Sequence, residues 1–533
     1  MARIAVIGAG MGAMAAAARL AVAGHRVAVY ERAETYGGGV RRFERDGFGF
    51  DTGPGLLHLP AVLRDLFLKT GKESLEQCVE LSQVDPASRH VFADGTDVAL
   101  PNASRAGVIQ ELDAVLGPGM GERWSELVNR AREAWDATRR PLLEEPVRQD
   151  WTVLGRDPYP AVRRGLLRRG ATTLAEVAAR ELRDPRLGAL LESHALAYGL
   201  DPRVAPPSAV VLPYVEQTFG SWYVRGGTRA LADALYKRCL ERKVEFVFGA
   251  GVDAVAEKDG RAAGVVLTDG SREDADLVVA GVDPRALAVM TGGSPGAYGR
   301  LWHARDVPPR PERPSGRFTV LLALRGARPE GTAHRTVVHA ADRDAELAAV
   351  FGGGASARPG LRRGPGTGER GGLCDRPTVT VLRPDDPVQR PDAEHEAVTL
   401  TVTVPPHARV AGAEPSPTAV DWTAESVAEE FAQRVIAVAG SAVPDLRERL
   451  LWHEIRTPAD TAEETGAADG AVPGPALAGA EGRWLHPANL TRIPGLYAVG
   501  GWSHPGGGLA HAGMSGALVA GLIVEGADWR GSQ

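Results

Sequence analysis

The sequence predicts an α/β fold in which N-terminal, central and C-terminal pieces build one domain around an inserted, mixed α+β domain with a helical lid. Three observations support this prediction. The chain begins with a strand, a glycine turn, an alanine-rich helix and a second strand. Strand patterns return in the middle of the chain, and its last segment reads as strand, loop and helix.

Length and composition set broad limits. At 533 residues the chain exceeds one hydrophobic core, and roughly 150 residues per domain would give two to four domains. A net charge of −6 gives no general attraction for phosphate backbones, so we expect no nucleic-acid partner. The three cysteines are far apart in sequence, so we expect neither a disulfide framework nor a metal site, and we expect a cytoplasmic protein.

The first βαβ unit carries a dinucleotide-binding pattern. Gly8, Gly10 and Ala13 follow the G-x-G-x-x-G/A spacing after a strand, and Gly12 is a further small residue in the turn. The glycines permit a sharp turn and a close backbone approach to a pyrophosphate, and the alanine lets the helix pack on the strand. Glu31 ends the second strand about twenty residues on, where a carboxylate can accept hydrogen bonds from ribose hydroxyls. We therefore predict nucleotide binding, with a purely structural βαβ unit as the alternative.

The same stretch, from Ile4 to Gly24, is apolar enough to be weighed as a signal peptide or membrane anchor. Only Arg3 precedes it as a basic residue, and Arg19 interrupts it. Its glycines fall where a strand-to-helix turn uses them. We expect a folded unit there.

The later elements follow from their periodicity. Residues 56–205 are expected to be mostly helical and to form a layer covering a site. Residues 244–270 alternate as a meander, and residues 274–283 add a buried strand. Further strands are predicted at 378–384 and 397–406, an amphipathic helix at 426–443, and a final strand, loop and helix at 495–524.

The strand patterns that return in the middle and at the end of the chain predict a discontinuous domain organisation. We assign residues 1–75, 206–290 and 485–533 to a nucleotide-binding domain, and residues 76–205 and 291–484 to a substrate-binding domain with a helical cap. The stretch from Gly352 to Gly372 is rich in Gly, Arg and Pro, which predicts a mobile surface loop.

The segment after the second strand favours FAD over NAD. It reads YGGGVRRFERDGFGFDTGP, whereas a simple dehydrogenase would continue there with further βα units. Together with WYVRGGTRALADAL in the middle and GLYAVGGWSHPGGGLAHAGMSGALVAG at the end, it resembles the bacterial-type phytoene desaturases of the flavin amine oxidase superfamily. The resemblance covers nearly the entire chain and implies a Rossmann-like, FAD-binding domain of the amine-oxidase type.

The resemblance also implies where FAD binds. The first turn and Glu31 would hold the ADP half, Gly37 and Gly38 would approach the pyrophosphate, and the loop from Gly500 to Leu509 would pass the isoalloxazine and ribityl. A backbone contact to adenine would come from Val252. The full set of predicted cofactor-binding residues is Gly8, Gly10, Met11, Gly12, Ala13, Glu31, Arg32, Gly38, Gly39, Thr52, Gly53, Pro54, Val252, Gly501, Gly508 and Leu509.

The chain departs from the family pattern at three places, one of which is the segment AVPGPAL at residues 471–477, where the family has an aromatic-containing version. Gly39 stands where an arginine commonly follows the glycine pair, with Arg41 and Arg42 nearby as candidate substitutes. After HPGGG the family continues with leucine, proline and glycine, whereas this chain has Leu509, Ala510 and His511. These departures bear on phosphate contact and on the substrate.

Two histidines, His504 and His511, stand beside the predicted flavin. His504 is the candidate catalytic residue, because an imidazole there could shuttle a proton or bind a quinone acceptor. The alternative is that these histidines only fix the loop through hydrogen bonds. Trp222 and Tyr223 could line an apolar tunnel or pack the interdomain core.

The function that the resemblance implies is FAD-dependent desaturation of a hydrophobic polyisoprenoid such as phytoene or another carotenoid, with oxygen or a quinone as electron acceptor. A carotene isomerase, a saturase, or an amine or lipid oxidase would use the same flavin. Non-enzymatic prenyl-protein carriers share the fold, but the complete nucleotide turn and Glu31 argue against that function.

Arginine-rich stretches in the helical region suggest a membrane surface. VRRGLLRRG and TRRPLLEEPVRQD could let the helical layer sit on an anionic bilayer, which would suit a lipid substrate. The alternative is a solvated helix face, since acidic residues keep the local charge modest. We expect a cytoplasmic protein with a peripheral site on the inner face of the membrane.

Overall fold

The computed structural model describes residues 1–147, 152–160, 170–302, 314–353, 372–408 and 418–531. In chain order the strands are β1 (Arg3–Ile7), β2 (Arg26–Tyr30), β3 (Arg42–Arg45), β4 (Phe48–Asp51), β5 (Leu81–Gln83), β6 (Ser88–Val91), β7 (Asp97–Leu100), β8 (Trp222–Val224), β9 (Glu245–Val247), β10 (Val252–Lys258), β11 (Arg261–Leu267), β12 (Arg272–Asp274), β13 (Leu277–Ala280), β14 (Gly316–Arg325), β15 (Arg335–Val338), β16 (Val379–Leu382), β17 (His395–Val404), β18 (Leu450–Arg456) and β19 (Leu496–Ala498).

The helices are α1 (Met11–Val22), α2 (Pro60–Thr70), α3 (Leu75–Cys78), α4 (Arg105–Leu116), α5 (Met120–Arg139), α6 (Thr152–Gly155), α7 (Leu174–Val177), α8 (Pro185–Ala197), α9 (Val211–Phe219), α10 (Thr228–Glu241), α11 (Pro284–Met290), α12 (Arg343–Phe351), α13 (Glu425–Ala439), α14 (Leu446–Arg449), α15 (Pro458–Thr465) and α16 (Leu509–Val524). Wider π-helical turns at Arg140–Glu144 and Ala178–Leu182 continue α5 and α7.

A five-stranded parallel sheet joins the two ends and the middle of the chain. Its order is β19-β13-β1-β2-β9, so strands from three distant segments lie side by side. The strands are short and largely buried, as expected of a parallel sheet covered on its faces. The predicted α/β fold with a shared sheet is confirmed. The exact domain bounds given above stay a prediction.

Two helices rich in small residues, α1 and α16, pack closely against each other beside this sheet. A Cβ on Gly516 of α16 would lie 2.7 Å from Ala15 Cβ and 2.8 Å from Gly12 O of α1. A Cβ on Gly12 would lie 2.7 Å from Gly500 Cα, in the loop before α16. Because these glycines have no Cβ, α1 lies directly against the loop that leads into α16. The N-terminal stretch weighed above as an anchor is the central strand and a buried helix of this domain.

The predicted meander is confirmed with one difference. Strands β10, β11 and β12 form an antiparallel sheet, and the turn between β10 and β11 has positive φ at both Asp259 and Gly260. The first strand of the predicted meander, β9, instead pairs with β2 in the parallel sheet. Strand β9 has only three residues, and a segment that short carries too little alternation to indicate its partner.

The second large sheet has seven strands in the order β18-β14-β17-β16-β15-β6-β7. It contains both strands predicted between residues 378 and 406, and α13 packs on it through Phe431 and Val435. The pairing of β15 with β6 is parallel, whereas the other pairs are antiparallel. This sheet forms the body of the inserted region.

A helical layer of α4, α5, α8 and α9 lies over the site, with Trp124, Leu127 and Leu190 in its buried core. Residues 56–205 are mostly helical as predicted, but β5, β6 and β7 interrupt them. Each of these strands has three or four residues, and β6 is held by its pairing with β15 far along the chain, which periodicity cannot reveal.

Within the described residues, none of the helices combines the length and the apolar character needed to span a bilayer. The glycine-rich stretch predicted as a mobile loop lies almost wholly outside the described residues. The same is true of the arginine-rich segment VRRGLLRRG.

Candidate cofactor and substrate site

The first turn leaves the N-terminus of α1 open. Gly8 has a φ of +84°, and its N–H donates to Tyr30 O at 2.8 Å. Gly10 precedes Met11, the first residue of α1, and offers no capping side chain. A Cβ on Gly10 would meet no described atom within 4 Å, so this side of the turn is open. The first N–H groups of a helix and its positive dipole end suit a phosphate.

The glycine run after β2 crosses this turn at close range. The Gly37 N–H donates to Ala9 O at 2.8 Å, and a Cβ on Gly38 would lie 3.0 Å from Gly10 Cα. On its other side, a Cβ on Gly53 would lie 2.5 Å from Gly39 O. The structure therefore stacks three predicted cofactor segments: the first turn, the run 37–39 and the segment 52–54 that follows β4.

Glu31 is a buried carboxylate, 7% exposed, at the end of β2. Its Oε2 accepts from the Ala9 N–H at 2.7 Å and its Oε1 from the Ala33 N–H at 2.9 Å. Two backbone donors thus fix its direction across the turn. Glu31 O also accepts from the Ala250 N–H at 2.9 Å, which places the segment leading to Val252, the first residue of β10, beside it.

The neighbouring arginines have different surroundings. Arg41 Nε donates to Gly38 O at 3.0 Å, so its guanidinium lies on the glycine crossing. Arg42 pairs with Glu44 at 2.8 Å and reaches Val388 O, away from that crossing. Arg32 is exposed and donates to Glu463 O near the end of α15. Of the two candidate substitutes for the missing family arginine, Arg41 is the one placed near the predicted pyrophosphate.

The C-terminal loop is anchored by Asn489, which sequence reasoning missed. This asparagine is 1% exposed, and its Nδ2 lies 2.8 Å from His504 O and 3.1 Å from Ser515 Oγ. Ser515 Oγ in turn accepts from the Gly500 N–H at 2.9 Å. A lone asparagine in a loop carries no sequence signal for such a role, because its partners are set by the chain's return path.

The rest of the loop runs along residues 473–474. A Cβ on Gly501 would lie 3.0 Å from Pro473 Cγ, and the Gly507 N–H donates to Gly474 O at 2.8 Å. Gly508, with a φ of +106°, precedes the buried Leu509 at the start of α16. The end of this helix, like that of α1, carries no side-chain cap.

His504 is fully buried beneath this loop. Its Nε2 lies 3.1 Å from Glu145 O, and its backbone N–H donates to Pro487 O at 2.9 Å. Burial lowers the pKa of His504 to about 3, so the imidazole is neutral. It does not line the cavity described below. These contacts support the loop-fixing alternative; a catalytic role for His504 stays an untested hypothesis.

A cavity lies between the helical layer and the start of α16. The apolar part of its wall comes from α5 and its π-helical extension, from α9, and from loops, and comprises Leu59, Trp135, Leu142, Leu143, Val211, Leu212, Val215, Pro475, Ala476 and Leu477. His511, in the first turn of α16, also lines it and ties the cavity to the predicted flavin loop.

The polar part of the wall was not predicted, apart from His511. It consists of His58, His194, Tyr198, Glu216 and His511, together with Thr138 and Arg139. Burial lowers the pKa of His511 to about 4, and burial together with the nearby Glu216 raises the pKa of Tyr198 to about 12. Both side chains are therefore neutral at neutral pH. The polar residues of the wall come from five separate segments, so no local motif could have joined them.

Trp222 and Tyr223 do not line this cavity. Trp222 Nε1 donates to Phe219 O at 2.9 Å, and Tyr223 donates its hydroxyl proton to Asp386 at 2.8 Å. Their strand, β8, pairs with β5. Their contacts match the predicted alternative in which they pack the junction between the two regions.

These features fit FAD. Two uncapped helix ends, a crossing where only glycines fit and a buried carboxylate are what the diphosphate and ribose of a dinucleotide need. The apolar cavity beside α16 offers space for a second, less polar molecule.

Comparison with known proteins agrees with this geometry. Residues 14–310 match the family model described as flavin containing amine oxidoreductase. The chain is 27% identical to a 4,4'-diapolycopene oxygenase of Methylomonas sp over 98% of both chains. It is 28% identical to a hydroxyneurosporene desaturase of Rhodobacter capsulatus, covering 98% of this chain and 97% of that protein.

Solved structures share the fold. An oxidoreductase from Methanosarcina mazei superposes with a TM-score of 0.60 at 16% identity, covering 97% of this chain and 99% of that one. A putrescine oxidase superposes with a TM-score of 0.57 at 13% identity, covering 98% of this chain and 99% of that one. At these identities the likeness concerns the fold alone. The family match, which covers more than half of the chain, and the uncapped end of α1 beside the glycine crossing lead to one conclusion: this protein is an FAD-dependent oxidoreductase that belongs to the flavin containing amine oxidoreductase family.

Proposed function

We propose that the protein is an FAD-dependent desaturase that introduces double bonds into a hydrophobic polyisoprenoid of the phytoene or carotenoid type. The observation that carries this proposal is the largely apolar cavity lying against the start of α16, beside the predicted flavin loop. A hydrocarbon offers no charge to hold, so a long apolar wall is the means by which a protein can orient it.

The relatives support this substrate class. Those that match nearly the whole chain include the diapolycopene oxygenase, the hydroxyneurosporene desaturase and a neurosporene-forming phytoene desaturase of Rhodobacter capsulatus, 27% identical over 98% of this chain. An enzyme of this kind removes a hydride equivalent from one carbon and a proton from its neighbour, and a bound flavin supplies the hydride acceptor. Oxygen or a quinone would then reoxidise the flavin.

The protein's own residues would orient the substrate and exclude water. Trp135, Leu143 and Val215 would hold the chain of carbon atoms, and the helix layer above them would keep the site dry. Of the polar side chains that line the cavity, His511 and Tyr198 lie beside the flavin loop: a Cβ on Gly508 would lie 3.3 Å from His511 Nδ1 and 4.0 Å from Tyr198 Cε1. The neutral imidazole of His511 is our candidate for holding the departing proton, at Nδ1.

The cofactor assignments are part of the proposal. Gly8, Gly10, Gly12 and Gly38 would face the pyrophosphate, and Glu31 the ribose. We further propose a peripheral position on the membrane, which would deliver a lipid-like substrate. Arg139 and Arg140, at the end of α5, are half-exposed and support it, although each is paired with a glutamate.

The test is an absorbance spectrum of the purified protein, followed by anaerobic mixing with phytoene in anionic liposomes. The flavin absorbance band at about 450 nm should bleach while longer polyenes appear. A flavin band that phytoene leaves unchanged would contradict the desaturase proposal and favour another lipid or an amine. Flotation of the same liposomes tests membrane contact, since protein left in the dense fraction contradicts it.

A further inference from the structure

A polar cluster interrupts the apolar wall of the cavity. It consists of Glu216 on α9, His194 on α8 and His58 before α2, with Arg335 of β15 behind Glu216. Both Glu216 oxygens contact the Arg335 guanidinium, and the distance from Nη1 to Oε2 is 3.1 Å. Glu216 is 8% exposed. Although burial opposes ionisation, the Arg335 guanidinium holds the pKa of Glu216 well below its usual range. The cluster is therefore strongly polar, and its pair of charges cancels.

The two imidazoles stand too far from Glu216 for direct hydrogen bonds. His194 Nε2 lies 3.7 Å and His58 Nε2 lies 3.9 Å from Glu216 Oε2. Direct N–H···O bonds span about 2.7–3.2 Å, and longer gaps between buried polar atoms are commonly bridged by a small polar group. A bridging group would therefore lie between the two histidines and the carboxylate.

The hydrogen-bond pattern shows what that group must offer. His194 Nδ1 lies 2.9 Å from Leu190 O, and because a carbonyl only accepts, Nδ1 carries the proton. Nε2 of His194 faces Glu216 Oε2, and that carboxylate oxygen only accepts hydrogen bonds. Burial lowers the pKa of His58, so this neutral ring can donate through one nitrogen. The bridging group must donate a proton and can accept one.

We propose that this cluster binds a hydroxyl group of the substrate, so that the protein prefers an oxygen-bearing isoprenoid to a plain hydrocarbon. The inference rests on the proposed function, because it takes the cavity as the substrate site. A hydroxyl donates and accepts through one oxygen, as the spacing requires. An ammonium group fits less well because Arg335 already neutralises Glu216. A hydrocarbon can bond neither to the Glu216 carboxylate nor to the imidazoles, a difference that favours the hydroxylated compound.

The experiment compares neurosporene with hydroxyneurosporene. Flavin-loaded protein, kept anaerobic and dark, is titrated with each carotenoid in mixed micelles while tryptophan fluorescence is followed, since Trp135 lines the cavity. We expect a Kd at least about tenfold lower for the hydroxylated compound. His58→Phe should abolish this preference, so that the ratio of the two Kd values falls to about one. Leu212→Met, in the apolar wall, is the matched control and should keep the preference.

A second variant, Glu216→Gln, keeps the shape and removes the charge. Its thermal midpoint is measured alongside, because the substitution leaves Arg335 without its counter-charge. In folded Glu216→Gln the preference should also fall.

Three results would overturn the inference in distinguishable ways. Equal Kd values for the two carotenoids, with flavin bleaching by either, would remove the hydroxyl subsite and keep the desaturase. Tighter binding of dodecylamine than of dodecanol would assign the cluster to an amine. Neither binding nor bleaching with any carotenoid would contradict the proposed function itself.

Discussion

Glu31 joins the first turn to the end of β2 by accepting hydrogen bonds from two backbone N–H groups. Each bond to a buried, charged acceptor fixes the carboxylate in one direction. That direction leads across the turn, toward the uncapped end of α1 and the segment before Val252. A single side chain thereby orders the place where ribose is expected.

Glu31→Ala should therefore weaken FAD retention. We expect at least about a tenfold rise in the Kd for FAD, which corresponds to about 1.4 kcal/mol. The measurement is flavin titration of the apoprotein followed by fluorescence. Glu34→Ala is the control, since Glu34 is exposed and lies three residues away in the same loop. Normal FAD affinity in Glu31→Ala would remove the ribose assignment.

At the scale of elements, the site depends on how closely α1 and α16 approach. The Gly516 position faces Ala15, Ala16 and Gly12 at distances where no Cβ fits, and two of those contacts are with backbone. Backbone cannot rotate aside, so a methyl group must separate the helices. The separation would move the loop at Gly500, which contacts Gly12.

Gly516→Ala should lower the free energy of unfolding by about 1–3 kcal/mol, as overpacking usually does. It should also reduce FAD content. Gly513→Ala, one turn earlier in α16, is the matched control, because its Cβ would meet only the side chains of Val62 and Leu63 at 3.2 and 3.5 Å. Denaturant unfolding of the two variants tests the prediction, and equal stability would show that the helices can separate freely.

At the scale of the whole molecule, folding buries several histidines in their neutral form. Burial lowers the pKa of His334, His339 and His504 to about 3 and that of His511 to about 4. Since the unfolded chain binds their protons near pH 6.5, acid favours the unfolded state. Asp51 and Asp157 act in the opposite direction, because burial raises the pKa of each to about 6.

The free energy of unfolding should therefore be largest above about pH 6.5 and should fall as the pH is lowered toward 4. The four histidines outnumber the two aspartates, whose raised pKa values increase the free energy of unfolding over part of the same pH range. Thermal midpoints of the flavin-loaded protein between pH 7.5 and 5 measure the effect. His339→Gln should reduce the slope, and a midpoint that rises on acidification would contradict the prediction.

The sequence by itself determined the local parts of this protein. The glycine spacing, the alanine-rich helix and Glu31 specify a nucleotide-binding βαβ unit, because each acts on neighbours within a few residues or at the end of the next strand. The alternating segments at 378–384 and 397–406 specified two of the seven strands of the large sheet. Resemblance at both chain ends and in the middle indicated that distant pieces share one domain.

Only the tertiary structure decided which residues form the cavity. Its polar cluster joins residues 58, 194, 216 and 335 through side chains from three elements and the loop before α2, and Asn489 holds the loop beside it. Only the tertiary structure likewise decided that Arg41 rather than Arg42 lies at the glycine crossing, and that β6 joins the large sheet by pairing with β15. These choices depend on the path by which the chain returns to the sheet. Contacts between residues far apart in sequence leave no periodicity or spacing in a single sequence.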